Sequence, residues 1–217
     1  MGKQSFAVIG MGRFGTSTAK TLADGGHEVL AVDREEERIN QIKDFVLHAV
    51  VADTTDERAI AQLGVRNFDA VVVAIGNDLR ASILTTVLCK EQGARCVVAK
   101  ALDDLHAKLL LKTGADRVVQ PEHDGGVRLG RSLPSDNIVD SLELTDDYSI
   151  NEIRVPKEWV GRSLAHLAVR TRYGVSVIAL RRGGTMIVNM DPLDALQEDD
   201  ILFLVGDNEH LERITDA

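Results

Sequence analysis

Phe6-Ala7-Val8-Ile9-Gly10-Met11-Gly12-Arg13-Phe14-Gly15 decides the fold of this chain. An apolar run meets three glycines at G-x-G-x-x-G spacing, and a helical pattern, Thr16 to Ala23, follows at once. A strand, a tight turn and a helix start in that order make the first half of a nucleotide-binding βαβ unit. Gly10 permits the turn. Gly12 lets the backbone approach a phosphate that any Cβ would hold off, and Gly15 lets the helix pack closely on the strand. The helix N-terminus then offers free N–H groups and partial positive charge. The next apolar run, Glu28-Val29-Leu30-Ala31-Val32, ends in Asp33. An acid at the end of the second strand is placed to accept ribose hydroxyls.

Outward from this unit the alternation continues. Leu47–Ala52, Ala70–Ile75, Cys96–Ala99 and Arg117–Val119 read as strands. They are rich in Val and do not alternate with polar residues, which predicts strands buried on both faces of a parallel sheet. Helices are predicted between them over Glu35–Asp44, Glu57–Leu63, Leu79–Gln92 and Asp104–Thr113, and Gly64, Gly93 and Gly114 sit where helices end. One more helix covers residues 123 to 133, and Pro134-Ser135-Asp136-Asn137 is the linker candidate.

Beyond the linker the pattern changes. Ile150–Val155, Val175–Leu180, Thr185–Asn189 and Ile201–Val205 read as strands. Arg182-Gly183-Gly184 signals a hairpin, Ser163 a helix cap, and a short helix follows from Asn208. The fold class is α/β: a Rossmann-type doubly wound parallel sheet over residues 1–135, then a small α+β domain over 136–217.

Composition narrows the function. A net charge of −9 argues against a nucleic-acid surface. No apolar run reaches the roughly 18 residues of a membrane span, and no leader pattern opens the chain, which predicts a cytoplasmic protein. Cys89 and Cys96 form neither a CxxC pair nor a metal motif.

Sites in an open parallel sheet form at the carboxyl ends of its strands. Those ends supply the glycine turn with Phe14, then Asp33, then Asp53 and Thr54 beside an adenine edge. Ala74-Ile75-Gly76 leaves room for a phosphate or ribose, and Lys100 and Glu122 complete the rim. A helix cap is the competing reading for Asp53, Thr54 and Glu122. Arg13 is distinctive, because a guanidinium between the second and third glycines can grip a terminal phosphate. It tilts the ligand from NAD, whose pyrophosphate backbone amides hold, toward ATP or ADP. His166 and His210 lack an obvious partner, and no nucleophile elbow, P-loop lysine or zinc spacing is present. The reading is a nucleotide sensor. An NAD(H)-binding oxidoreductase is the alternative, and a redox-sensing DNA-binding repressor is disfavoured by the acidic charge.

The opening stretch, His27-Glu28-Val29-Leu30-Ala31-Val32-Asp33, Val72-Val73-Ala74-Ile75-Gly76 and Gly114-Ala115-Asp116-Arg117-Val118-Val119-Gln120-Pro121-Glu122 together resemble the KtrA/TrkA-type RCK subunits of bacterial potassium uptake systems. The resemblance covers essentially the whole chain. It implies an N-domain that binds ATP or ADP, and homodimers assembled into an octameric ring beneath a membrane K⁺-translocating subunit, peripheral on the inner face of the cell membrane. By resemblance Arg13 reads the γ-phosphate, Asp33 holds the ribose, and Asp53 and Thr54 flank adenine. Lys100 and His106 lie near the ligand, and Glu122 helps to bind Mg²⁺ or Ca²⁺ near a subunit interface. C-domains of this family can hold cyclic di-AMP, for which Arg170 matches a phosphate contact while Met190-Asp191-Pro192 departs from the expected proline pattern. Helix 123–133, with Gly125 and Gly126, is expected at or near a dimer interface.

Overall fold

A computed structural model of the chain describes residues 2–133, 137–145 and 147–215. It divides into two compact units, Met1–His123 and Asp124–Ala217. The linker candidate 134–136 lies outside the described residues.

In the first unit β1 (Ser5–Ile9), β2 (Glu28–Asp33), β3 (His48–Val51), β4 (Ala70–Val73), β5 (Val97–Lys100) and β6 (Arg117–Val119) form one parallel sheet in the order β3-β2-β1-β4-β5-β6. The order reverses between β1 and β4, so a crevice opens beyond the carboxyl end of β1. Helices α1 (Arg13–Asp24), α2 (Glu36–Ile42), α3 (Glu57–Leu63), α4 (Leu79–Glu91) and α5 (Asp104–Lys112) connect the strands. The sheet separates two apolar clusters. One, around Ala7, Ile9, Val71, Val73 and Val97, is shared with Ile60, Leu88 and Leu110 of α3, α4 and α5. The other, around Val8, Val29, Ala31 and Val72, is shared with Ala19 of α1 and with Ile39 and Ile42 of α2.

Central strands are buried as the Val runs predict, but β3 is not. His48, Val50 and Val51 are exposed, because β3 is an edge strand paired only with β2. A buried thiol, Cys89, faces the first cluster, and burial pushes it up to about 12. Cys96 is only half-buried.

Pro121 does more than end β6. It opens α6 (Pro121–Ser132), where a missing N–H costs nothing. The division between the compact units falls inside this helix.

The second unit carries an antiparallel sheet in the order β10-β9-β11-β8-β7. Its strands are β7 (Ile138–Glu143), β8 (Tyr148–Arg154), β9 (Ser176–Arg182), β10 (Thr185–Ile187) and β11 (Ile201–Asp207). The sequence reading missed β7, whose run Ile138-Val139-Asp140-Ser141-Leu142-Glu143 carries three polar residues and neither a clean alternation nor a turn signal. In β11, Leu202 and Leu204 point inward and alternate with partly exposed neighbours, the period of a half-covered sheet. Leu211 and Ile214 of α9 (Asn208–Thr215) cover them in one apolar cluster. The β9–β10 hairpin turns through Gly183 and Gly184 at φ +54° and +82°, the paired positive values that favour tight two-residue hairpins.

Ser163 caps α7 (Leu164–Leu167) as expected, accepting from the His166 N–H at 3.2 Å. The helix breaks at Ala168, φ +48°, before α8 (Val169–Tyr173). An L-residue there carries a Cβ penalty that glycine avoids. Ala168→Gly is expected to raise stability by about 0.5–1 kcal/mol, after subtracting glycine's larger chain entropy. An increase in urea midpoint with unchanged slope would show it, and a decrease would place the strain elsewhere.

Candidate functional site

The crevice beyond β1 is a cavity of about 620 Å³ within the first unit. Its walls come from the segments that follow β1, β2, β3 and β4, the glycine turn among them, with Lys100 at the end of β5 and Glu122 in α6. Gly10, at φ +97°, donates its N–H to Val32 O at 2.7 Å. A Cβ on Gly10 would lie 3.1 Å from the Ala74 backbone, and one on Gly15 would lie 1.9 Å from Gly10 O. Both glycines are therefore demanded by the protein's own packing. Gly12 is different. Its φ is −71° and nothing lies within 4 Å of where its Cβ would stand. Gly12 lines the cavity, and a side chain there would meet no atom of the protein.

Gly12 is also the N-cap of α1 and supplies no side-chain acceptor, and the first turn of α1 holds no acid. The helix start is thus open to an anion, with Arg13 exposed beside it.

Opposite, Lys100 is 8% exposed and places Nζ 2.5 Å from Glu122 Oε1. Its ammonium also sits 6.0 Å from the Phe14 ring centroid. A Cβ on Gly76 would approach Nζ to 3.3 Å. The hydrogen bond from Lys100 holds the Glu122 carboxyl below its usual range. Glu122 lies within the first turn of α6 rather than at its cap.

Asp33 is almost fully buried and heavily engaged. Its Oδ2 accepts from the Met11 N–H at 2.6 Å, and its Oδ1 accepts from the Glu35 N–H at 2.9 Å. Arg38 lies 3.6 Å from Oδ2 and pairs with Glu35 at 2.9 Å. Asp33 therefore locks the glycine turn to the end of β2, a role the sequence reading did not give it.

Asp53 does not cap α3; Asp56 does, accepting from the Arg58 N–H at 2.8 Å. Asp53 instead accepts from the Thr55 hydroxyl at 2.7 Å and the Thr55 N–H at 2.9 Å. These bonds, aided by Arg34, hold its carboxyl below the usual value.

Of the residues singled out from sequence, Gly10, Gly12, Arg13, Phe14, Asp33, Asp53, Thr54, Ala74, Ile75, Gly76, Lys100 and Glu122 line this cavity. Gly15 does not; it packs beneath the turn. His106 does not line it either. It is 1% exposed, and its Nδ1 accepts from the Leu102 N–H at 3.2 Å. Burial lowers its pKa from the ordinary imidazole value, against the opposing charge of Asp103. The sequence reading missed Arg34, Arg38, Asn77 and Asp78. Arg34 and Asn77 follow directly on strand-end residues already chosen, with Asp78 one position further, which was the available signal; Arg38 lies within α2 and gave none. Arg34 reaches to 4.0 Å from Asp78 across the cavity mouth.

In the second unit a depression of about 680 Å³ is lined by Leu164, Val177 and the Val188–Pro192 segment, and Arg170 is not among its walls. His210 does have a partner, Asp207, because the cap position of α9 brings the two together. Among the described residues no three or more His, Cys, Asp or Glu side chains cluster as a metal site. Among them, too, no helix is long and apolar enough to cross a membrane.

Residues 6–121 match the TrkA-N domain and residues 150–217 the TrkA-C domain. The Ktr system potassium uptake protein C of Bacillus subtilis (strain 168) is 41% identical over 97% of this chain and 96% of its own length. The Ktr system potassium uptake protein A of the same organism is also 41% identical, over 97% and 95%. The chain belongs to the KtrA-type RCK family. Membership supports a regulatory role in potassium transport. Among solved structures, the GsuK channel bound to NAD superposes with a TM-score of 0.70 at 17% identity, over 99% of this RCK subunit and 40% of that chain. At that identity the likeness carries the fold alone.

The RCK subunit has a carboxylate whose stability effect can be isolated away from the site. Asp116 accepts from the Val97 N–H at 2.6 Å and from Lys90 at 2.9 Å. The backbone bond first, then Lys90, holds its carboxyl below the ordinary 3.8. A carboxylate held low in the folded state stabilises above its unfolded pKa, and the contribution is lost as pH falls below about 3.8. Asp116→Asn should lower the urea midpoint at neutral pH and flatten its fall between about pH 5 and about pH 2. An unchanged acid profile would assign the acid sensitivity to other carboxylates.

Proposed function

We propose that this RCK subunit is a non-enzymatic sensor of adenine nucleotides that regulates a bacterial K⁺-translocating membrane subunit. Residues 1–135 would act as the nucleotide-binding domain and 136–217 as the C-terminal domain. The protein would work in the cytoplasm, peripheral on the membrane through its partner. The observation that carries the reading is the open helix start: a glycine at 12 that the protein's own packing does not require, beside the exposed Arg13.

ATP and ADP differ only at the γ-phosphate, so a sensor must bind them differently in its two states. Arg13 and Lys100 are the cations that flank the phosphate end. Glu122 would give one oxygen to Mg²⁺ or Ca²⁺, with phosphates and water supplying the rest, in keeping with both ions' preference for oxygen. Its side chain is 65% exposed, which leaves it free to swing from Lys100 to such an ion. The switch would pass from these residues into α6. Gly125 and Gly126 have nothing within 4 Å of a Cβ, and Leu129 is 58% exposed. A face of that kind suits a second copy, and homodimers in an octameric ring are the proposed assembly. Cyclic di-AMP in the C-domain would need Arg170 together with a second copy.

Calorimetry with ATP, ADP, NAD and NADH tests the reading. Micromolar binding of ATP and ADP is expected. NADH bound tightly with neither ATP nor ADP would replace it with the oxidoreductase reading. The ATP-bound melting temperature should rise with divalent ions in the wild type and less in Glu122→Gln. Equal rises would remove Glu122 from the cation site.

A further inference from the structure

Helix α4 buries three hydroxyl side chains, Ser82, Thr85 and Thr86, each 0% exposed. Hydroxyls are costly to bury, and threonine is a poor helix former, so three in one helix call for a reason. Thr86 bonds within its own helix, to Ser82 O at 2.9 Å. The Ser82 hydroxyl has no partner. Thr85 alone of the three reaches another element. Its hydroxyl donates to Thr54 O at 3.2 Å and lies 2.9 Å from the Thr54 hydroxyl.

Thr54 is 5% exposed and lines the cavity in the loop after β3. Its neighbours Asp53 and Thr55 form the local turn described above. Among the described residues, Thr85 is the side chain of another element that is hydrogen-bonded to this loop. The sheet holds it from one side only, because β3 is an edge strand and its pairing with β2 ends at the Ala52 N–H, which donates to Asp33 O at 2.9 Å. The N-terminus of α4 is fixed at the same cavity. Asp78 caps it, accepting from the Ala81 N–H at 2.9 Å, and both residues are cavity walls. Ala81 and Thr85 are four residues apart, so they share a helix face.

We infer that Thr85 is a positioning residue for the adenosine end of the site, holding the Asp53–Thr54 loop at a fixed distance from α4. The inference rests on the nucleotide reading and deepens it. Thr85 touches no ligand itself. It sets where Thr54 and Asp53 stand when a base and ribose arrive, so its loss lets the loop drift and leaves the phosphate end intact.

Thr85→Val keeps the shape and removes the hydroxyl. ADP affinity should fall about five- to tenfold, the worth of one ordinary hydrogen bond. Tripolyphosphate, which carries phosphates without adenosine, should bind as in the wild type. Thr85→Ser should restore ADP affinity. Should Thr85→Val fail to fold, Thr85→Ala against Thr85→Ser isolates the hydroxyl in the same way. Unchanged ADP affinity without the hydroxyl would overturn the inference. So would equal losses for ADP and tripolyphosphate, which would mean a general structural role. Wild type that binds tripolyphosphate but no adenine nucleotide would instead overturn the nucleotide reading beneath it.

Discussion

Arg13→Ala should weaken ATP about ten- to a hundredfold while leaving ADP nearly unchanged. A hydrogen bond to a charged group contributes roughly 1.5–3 kcal/mol, which sets that range. The selectivity comes from position. Arg13 opens α1 at the cavity edge and is exposed, and among the described residues it pairs with no carboxylate. Its charge is therefore available to a ligand rather than spent on the fold. Asp33→Ala should behave oppositely, weakening both nucleotides alike, because it frees Met11 and the whole glycine turn as well as the ribose contact. Calorimetry on both variants with both nucleotides reads the difference. Equal losses of ATP and ADP in Arg13→Ala would reject a γ-phosphate role.

The glycines separate folding from binding just as sharply. Gly15→Ala puts a Cβ 1.9 Å from Gly10 O, a backbone atom that cannot turn aside. The helix must then move off the strand, at about 3 kcal/mol or more. A melting temperature lower by roughly 10 °C is expected. Gly12→Ala meets nothing within 4 Å at an ordinary φ. It should cost less than about 1 kcal/mol of stability. Yet it should reduce nucleotide affinity at least tenfold, by occupying space that a phosphate needs. A Gly12→Ala protein that binds ATP normally would move the phosphates elsewhere in the cavity.

The parallel sheet was legible because its central strands are doubly buried and so read as unbroken Val, Ile and Ala. The same rule misjudged β3. Leu47–Ala52 has that composition, but edge position, which no local pattern encodes, leaves Val50 and Val51 in the open. β7 was missed for the opposite reason, since Asp140, Ser141 and Glu143 hide a strand that only its pairing with β8 creates. At the site, residues that end strands were found, and those one step further on, such as Arg34 and Asn77, were not. Asp33 was read as a ligand group, and its grip on Met11 needed coordinates. His106 was carried over by resemblance and lies buried away from the cavity wall. Thr85 gave no signal, because a threonine in a helix is unremarkable until its neighbour across the fold is known.

The two cysteines differ in a way that bears on experiment. The thiolate is the reactive form, and a thiol raised to about 12 holds almost none of it near neutrality. Cys89 would therefore be silent toward maleimides while the chain is folded, and Cys96 would take the label alone. Cys96 immediately precedes β5, whereas the cavity lies beyond the other end of that strand. The native chain thus carries a single attachment point for a fluorophore, set back from the ligand. Distances between labelled copies could be followed as ATP is exchanged for ADP, with no cysteine removed or introduced.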